Sequence, residues 1–220
     1  MSLKPIPKAL TLKEQAYQSI KQAIFSNSFS PGTPLVEEQL STKLSISRTP
    51  IRSALQQLVY ENLAVSDATG HIYVTHITEK EVDDVTTMRS NMEPLGISLI
   101  EMPVSGERIS ELYRIHNEQT LLVEREPDNH IRYAELDTYF HNSIARLSNN
   151  FILIETIERI GNLMIRVNIL SGTLSPHKKK ALSEHAAIIE YLEKGQKEFA
   201  IVAMREHVRN VGTRILDVFN

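Results

Sequence analysis

The chain has 220 residues, 41% of them hydrophobic and 23% charged, with a formal net charge of −3 and no cysteine. That length suits two domains better than one, and the missing cysteines exclude disulfides, thiolate zinc fingers and a cysteine nucleophile, leaving nitrogen and oxygen as metal ligands. No segment approaches the ~20 apolar residues of a membrane span, and Met1 to Leu10 carries no apolar stretch of signal-peptide length, so a soluble, cytoplasmic protein without a membrane partner is expected.

Charge divides unevenly along the chain. Up to His76 there are seven Lys and Arg against five Asp and Glu; beyond it there are seventeen against twenty-two. Affinity for nucleic acid, where present, belongs to the N-terminal part. There, Ala16, Ile20, Ala23 and Ile24 recur at helical spacing across Leu12 to Phe25, and Ser30-Pro31-Gly32-Thr33-Pro34 stops the chain. A short helix is predicted over Val36 to Leu44. Thr49-Pro50 then reads as an N-cap with proline at the first helical position, opening a third helix that runs to about Glu61. Leu63 to Val65 and His71 to Thr75 read as strands joined by Asp67-Ala68-Thr69-Gly70. Three helices and a hairpin make a winged helix over residues 1–77.

Thr78 and Glu81 form a capping box, and residues 78–220 read as helix. The predicted helices are Glu79 to Met102, Gly106 to Arg125, Asn129 to Leu147, Ile152 to Leu170, Pro176 to Glu193 behind a Ser175 N-cap, and Gln196 to about Phe219. The breaks between them fall at Pro103, Pro127, Asn149-Asn150, Ser171-Gly172 and Gly195. Short connections imply an antiparallel bundle of six to seven helices. The expected fold class is mainly α: an N-terminal winged helix-turn-helix followed by an all-α bundle.

Ile51, Leu55 and Leu58 form the inward stripe of the third helix, which leaves Arg48, Thr49 and Arg52 at its outward N-terminal end. A helix N-terminus offers free N–H groups to phosphate, and arginine can fork two hydrogen bonds onto guanine O6 and N7. The small positive surplus of one such domain calls for two copies, a homodimer on half-sites roughly 34 Å apart.

In the bundle, polar residues fall on apolar stripes. Asp137 and His141 stand beside Phe140 and Ile144, His185 between Leu182 and Ile189, and His207 between Met204 and Val211. Such groups are costly to bury without partners, so they serve one another or a cation. His185 lies ten residues before Gly195 and His207 twelve after it; antiparallel packing at about 1.5 Å per residue sets both rings at similar depth. One Asp and three His suit Zn2+, Ni2+, Mn2+ or Fe2+ as the divalent transition metal, and suit Ca2+ or Mg2+ poorly. Pro94 is expected to kink its helix or remove a hydrogen bond, and His116, His130, His177 and Lys178-Lys179-Lys180 read as surface.

Val36-Glu37-Glu38-Gln39-Leu40 and Leu44-Ser45-Ile46-Ser47-Arg48-Thr49-Pro50-Ile51-Arg52-Ser53-Ala54-Leu55-Gln56-Gln57-Leu58, continued by Glu61-Asn62-Leu63, resemble the helix-turn-helix of the GntR family of regulators. The hairpin is similar to that family's wing, and the remainder resembles its FadR-like subgroup with an FCD ligand-binding domain. The resemblance implies that Arg48, Thr49 and Arg52 contact operator DNA while the wing tip at Gly70 and His71 reaches the minor groove. It implies metal ligation by Asp137, His141, His185 and His207. It further implies an organic-acid effector between the metal and Arg89, for which Glu93 at i+4 is the competing partner; Arg166 is a second candidate cation. Many relatives carry basic residues where this chain has Gln56 and Gln57, and some an arginine where it has Glu38. A transcription regulator is expected, a repressor more than an activator. The metal as the signal itself, or as a purely structural ion, is an alternative. An enzyme has no support from a His-Glu-x-x-His helix, a glycine-rich phosphate loop or a nucleophile elbow.

Overall fold

The computed structural model describes residues 10–170 and 174–217. It divides into two compact units, Met1–His76 and Ile77–Asn220.

In the first unit, α1 (Leu12–Phe25), α2 (Glu37–Leu44) and α3 (Arg48–Tyr60) precede a hairpin of β1 (Ala64–Ser66) and β2 (Ile72–Val74). A complete capping box fixes the start of α1, with Thr11 and Glu14 each satisfying the other's backbone N–H. The core is Ile20 and Ile24 of α1 with Ile51, Ala54, Leu55 and Leu58 of α3, closed by Leu63 and Val74. The strands are antiparallel, with Ala64 opposite Val74 and Ser66 opposite Ile72. The stretch after α1 lies along β2, where Gly32 N–H donates to the Val74 carbonyl and Leu35 N–H to that of Ile72. Gly32 is required there: its φ is +82°, and a Cβ would stand 2.8 Å from His76 Nε2. Helix α3 begins at Arg48 with Ser47 as N-cap, so the cap predicted at Thr49 is displaced. Pro50 falls at the third position, still within the turn whose N–H groups have no intrahelical acceptor, and the shift leaves no bond broken.

The second unit contains six helices among the described residues: α4 (Glu79–Ser98), α5 (Gly106–Arg125), α6 (His130–Leu147), α7 (Phe151–Leu170), α8 (Leu174–Glu193) and α9 (Lys197–Leu216). The capping box of Thr78 and Glu81 is formed at the head of α4, and the second Glu81 oxygen accepts from Arg166 Nη2 on α7 at 2.8 Å. Helix α4 runs through Pro94 and ends at Ser98, four residues before the predicted end. Leu99 and Ile100 turn back onto the Gly96 and Ile97 carbonyls, Lys197 Nζ takes the Ser98 carbonyl, and Ile100 is buried in the core. Helix α8 is already formed at Leu174, ahead of the predicted Ser175 cap; the expected break at Ser171-Gly172 and the end near Phe219 lie outside the described residues. The main core joins Ile97, Ile115, Phe140, Ile188 and Met204 from five helices. Among the described residues no helix is long and apolar enough to cross a membrane.

Candidate nucleic-acid interface and metal centre

In the first unit the link from α2 to α3 is tight. Ser45 adopts a left-handed conformation at φ +54°, and Ser41 Oγ donates to the Ile46 carbonyl at 2.6 Å. Helix α3 then buries Ile51 and Leu55 and leaves Arg48, Thr49 and Arg52 exposed. Arg52 donates from Nε and Nη2 to the two oxygens of Glu37 at 2.8 and 2.9 Å, and Arg48 from Nη2 to Glu38 Oε1 at 2.6 Å. The Arg52 hydrogen bond holds the Glu37 carboxyl below its usual range. Neither ion pair was anticipated from sequence, although Glu38 had stood out. At the hairpin tip, Asp67 Oδ1 accepts from the backbone N–H groups of Thr69 and His71, each at 2.9 Å, and Gly70 takes φ +86°. Asp67 thereby organises the segment that presents Gly70 and His71.

In the second unit the structure brings Asp137, His141, His185 and His207 together. The first two lie one turn apart on α6, with His185 on α8 and His207 on α9. One nitrogen from each of the three buried imidazoles lies within 4.8 Å of the others, a triad that can hold a metal ion. His185 Nε2 is 3.2 Å from His207 Nε2. Asp137 reaches His185 Nε2 at 3.6 Å through Oδ1 and His141 Nε2 at 3.9 Å through Oδ2. Two ligand atoms of a tetrahedral ion with ~2.05 Å bonds stand about 3.3 Å apart, so the spacing is of the right scale.

The outer nitrogens of the triad each face an oxygen of another side chain. His207 Nδ1 bonds Glu184 Oε2 at 2.8 Å, His185 Nδ1 faces Gln119 Oε1 at 3.3 Å, and His141 Nδ1 contacts Glu93 Oε2 at 2.7 Å. With Nδ1–H of His185 and His207 donating outward, their Nε2 lone pairs face each other, and neither nitrogen of His141 has a hydrogen-bond partner among the described residues. A cation among these atoms would satisfy all of them. Burial pushes His185 well below the ordinary imidazole pKa, helped by the neighbouring His207; burial also lowers His207, against the pull of Glu184. Both rings are thus neutral at pH 7, the form that ligates metal. Burial alone would raise Glu184, yet hydrogen bonds from His207 and Arg214 outweigh it and bring the carboxyl down to about 2. Phe140 stacks on His185 with centroids 4.1 Å apart and fixes the ring plane.

Beside Asp137 opens a cavity of about 40 Å3, lined by Tyr133, Asn168, His177, Lys178 and Arg214 among others. Lys178 is buried, not solvated as its place in a lysine run suggested. Its Nζ donates to the Pro127 carbonyl at 2.5 Å, lies 2.9 Å from His130 Nδ1 and sits over the Tyr133 ring. His130 is correspondingly half-buried, and His116 Nε2 meets the Leu182 carbonyl at 3.0 Å, so neither is a free surface histidine. The Tyr133 hydroxyl is buried without a hydrogen-bond partner among the described residues. Arg89 is buried in an ion pair with Glu93 at 2.5 Å, and Arg166 is buried against Glu81; neither lines this cavity. Gln119, Glu184, Lys178 and Tyr133 escaped sequence reasoning. Of these, only Tyr133 and Glu184 carried a signal, Tyr133 one turn before Asp137 on α6 and Glu184 next to His185 on α8.

Comparison with known proteins matches residues 12–74 to the bacterial regulatory proteins of the gntR family and residues 84–210 to the FCD domain. The chain is 28% identical over 205 residues to the HTH-type transcriptional regulator YdhC of Bacillus subtilis, covering 93% of this chain and 88% of that one. It is 22% identical over 207 residues to the HTH-type transcriptional repressor RspR of Escherichia coli K12, covering 94% and 90%. The solved structure of E. coli McbR/YncC shares its fold, with a TM-score of 0.74 at 20% identity over 96% of this chain and 100% of the other. A winged helix of the gntR type joined to a matching FCD domain over more than half of its length places this chain in the GntR family of transcription regulators, in the group that carries an FCD domain.

Proposed function

We propose that the chain is a repressor that binds operator DNA as a homodimer, and that a small carboxylate held at a divalent transition-metal site tunes its operator affinity. In this reading residues 1–77 grip DNA through Arg48, Thr49, Arg52 and the wing tip at Gly70 and His71. Residues 78–220 dimerise and sense, with Asp137, His141, His185 and His207 as metal ligands. The observation that carries the sensing half is the convergence of three buried imidazoles and one carboxylate while Gln119 and Glu184 face the outward nitrogens of His185 and His207 and Glu93 lies against His141. A divalent ion bound there would supply positive charge, and one that accepts more than these four ligands would leave a position for an anionic oxygen.

The chain's own residues provide the remainder of such a pocket. Lys178 and Arg214 bring cationic donors, and the Tyr133 hydroxyl brings an unused one, to the cavity on the Asp137 side. Arg89, whose charge acts on Asp137 from α4, balances the carboxylate without lining the cavity. Ligand can bias DNA binding only through differential affinity for two arrangements of the protein. Support for repression comes from RspR, which is named a repressor. The reading places the protein in the cytoplasm, where its DNA is.

Protein purified without chelator tests this. Elemental analysis and native mass spectrometry report metal, retained acid and subunit number, and capture of duplexes selected from a random pool is followed through chelation and metal return. The expected result is one ion per protomer, a dimer, and an acid that shifts capture only when metal is present. Capture that follows metal alone makes the ion the signal. Metal-free protein that refuses added Zn2+, Ni2+ and Mn2+ overturns the site.

A further inference from the structure

The guanidinium of Arg52 presents two usable forks: Nε with one Nη2 proton along its side, and Nη1 with Nη2 across its end. Glu37 fills the side fork with both oxygens, so the end fork remains for another partner. Arg48 is held by a single bond to Glu38, and that pair is 59% and 72% exposed. The front of α3 therefore carries two cations and two carboxylates within hydrogen-bonding reach, a group with no net charge. Free arginines attract phosphates of any sequence and release counterions as they bind. Arginines already neutralised by glutamate lose most of that attraction, and an exposed carboxylate beside them repels phosphate. Guanine O6 and N7, by contrast, require a placed donor fork and not a net charge.

We propose that Glu37 and Glu38 are specificity-determining residues of the DNA contact: they suppress binding to arbitrary sequence, and Glu37 fixes Arg52 end-on for a guanine. The proposal rests on the assignment of Arg48 and Arg52 to DNA. Glu37, with 28% of its side chain exposed against 63% for Arg52, is the fixed buttress. Glu38, on one bond at the surface, is the exchangeable partner that Arg48 leaves when a base edge replaces it.

The test uses the full chain with Glu37→Gln, Glu38→Gln and the double variant. Each is measured against a random-sequence duplex and against the duplex the parent protein enriches from a randomised library, across a salt series. Each substitution should tighten random-duplex binding about tenfold near 50 mM salt and steepen the slope of log K on log salt by about 0.9 per domain. The ratio of enriched to random affinity should fall, and a library selected with Glu37→Gln should lose preference at one base pair per half-site. Random-duplex affinity and slope equal to the parent's in both single variants overturn the proposal. Arg48→Ala and Arg52→Ala separate the two levels. If they too leave the enriched duplex bound as before, the assignment of the arginines falls; if they release it while the glutamine variants match the parent, only the role of the glutamates falls.

Discussion

Both candidate sites pair nitrogen-bearing side chains with carboxylates, and they differ in what surrounds the pair. On α3 the arginines are held in water, with more than half of each side chain exposed. Ion pairs of that kind add little to stability, being screened by solvent, and are easily exchanged. In the bundle, Arg89, Glu93 and His141 are each 4% exposed, and removing one partner of such a pair costs about 3–5 kcal/mol because a charge is left in a poor solvent. The same chemistry therefore makes a surface that can trade partners in one unit and a cage that cannot in the other. Burial, more than residue type, decides which.

The comparison can be broken most directly at the cage. His207→Ala should weaken metal binding roughly 100- to 1,000-fold, taking one ligand as about a quarter of the ~10–16 kcal/mol that a four-ligand zinc site supplies. Calorimetric titration with Zn2+ checks it, and an unchanged affinity would mean that the ion, if any, sits elsewhere. Glu184→Gln keeps the shape and removes the charge behind His207, and should cost about 10- to 100-fold in the same titration. Acidification sharpens the contrast next. The folded pKa values of His185 and His207 lie below the unfolded value of 6.5, so the unfolded chain binds more protons and stability is lost as pH falls below 6.5. Glu184, at about 2 when folded, removes more between pH 4.5 and 2. Amide protection at α8 and α9, corrected for the intrinsic exchange rate, should therefore fall as pH drops below 6.5, well before that of α1. The smallest effect belongs to the exposed side: Asp67→Ala removes two backbone hydrogen bonds at the wing tip. Because water replaces them, the loss should be only about two- to fivefold in affinity for the enriched duplex.

The periodicity of the sequence made the helices readable, and polar residues on apolar stripes made the four cage residues readable as a set. Spacing about Gly195 was enough to bring His185 and His207 to one level. What failed to show were partners chosen by long side chains across large separations. Gln119 meets His185 over 66 positions, and Lys178 reaches Pro127 over 51. A lysine in a run at a helix start looks the same in sequence whether its stem turns outward or inward, since the stem can follow apolar surface either way. The early end of α4 was hidden for a related reason. Ile100 keeps helical spacing with Ile97 and Pro94, but its burial is achieved from a tightened turn and not from helix.

Glu81 closes the first turn of α4 through one oxygen and grips Arg166 of α7 through the other. A helix start secured in this way cannot unravel singly: loosening it means giving up the cap and the ion pair to the buried Arg166 together. Whatever displaces α7, two residues from Asn168 at the cavity wall, is accordingly felt by α4 as the turning of a stiff lever.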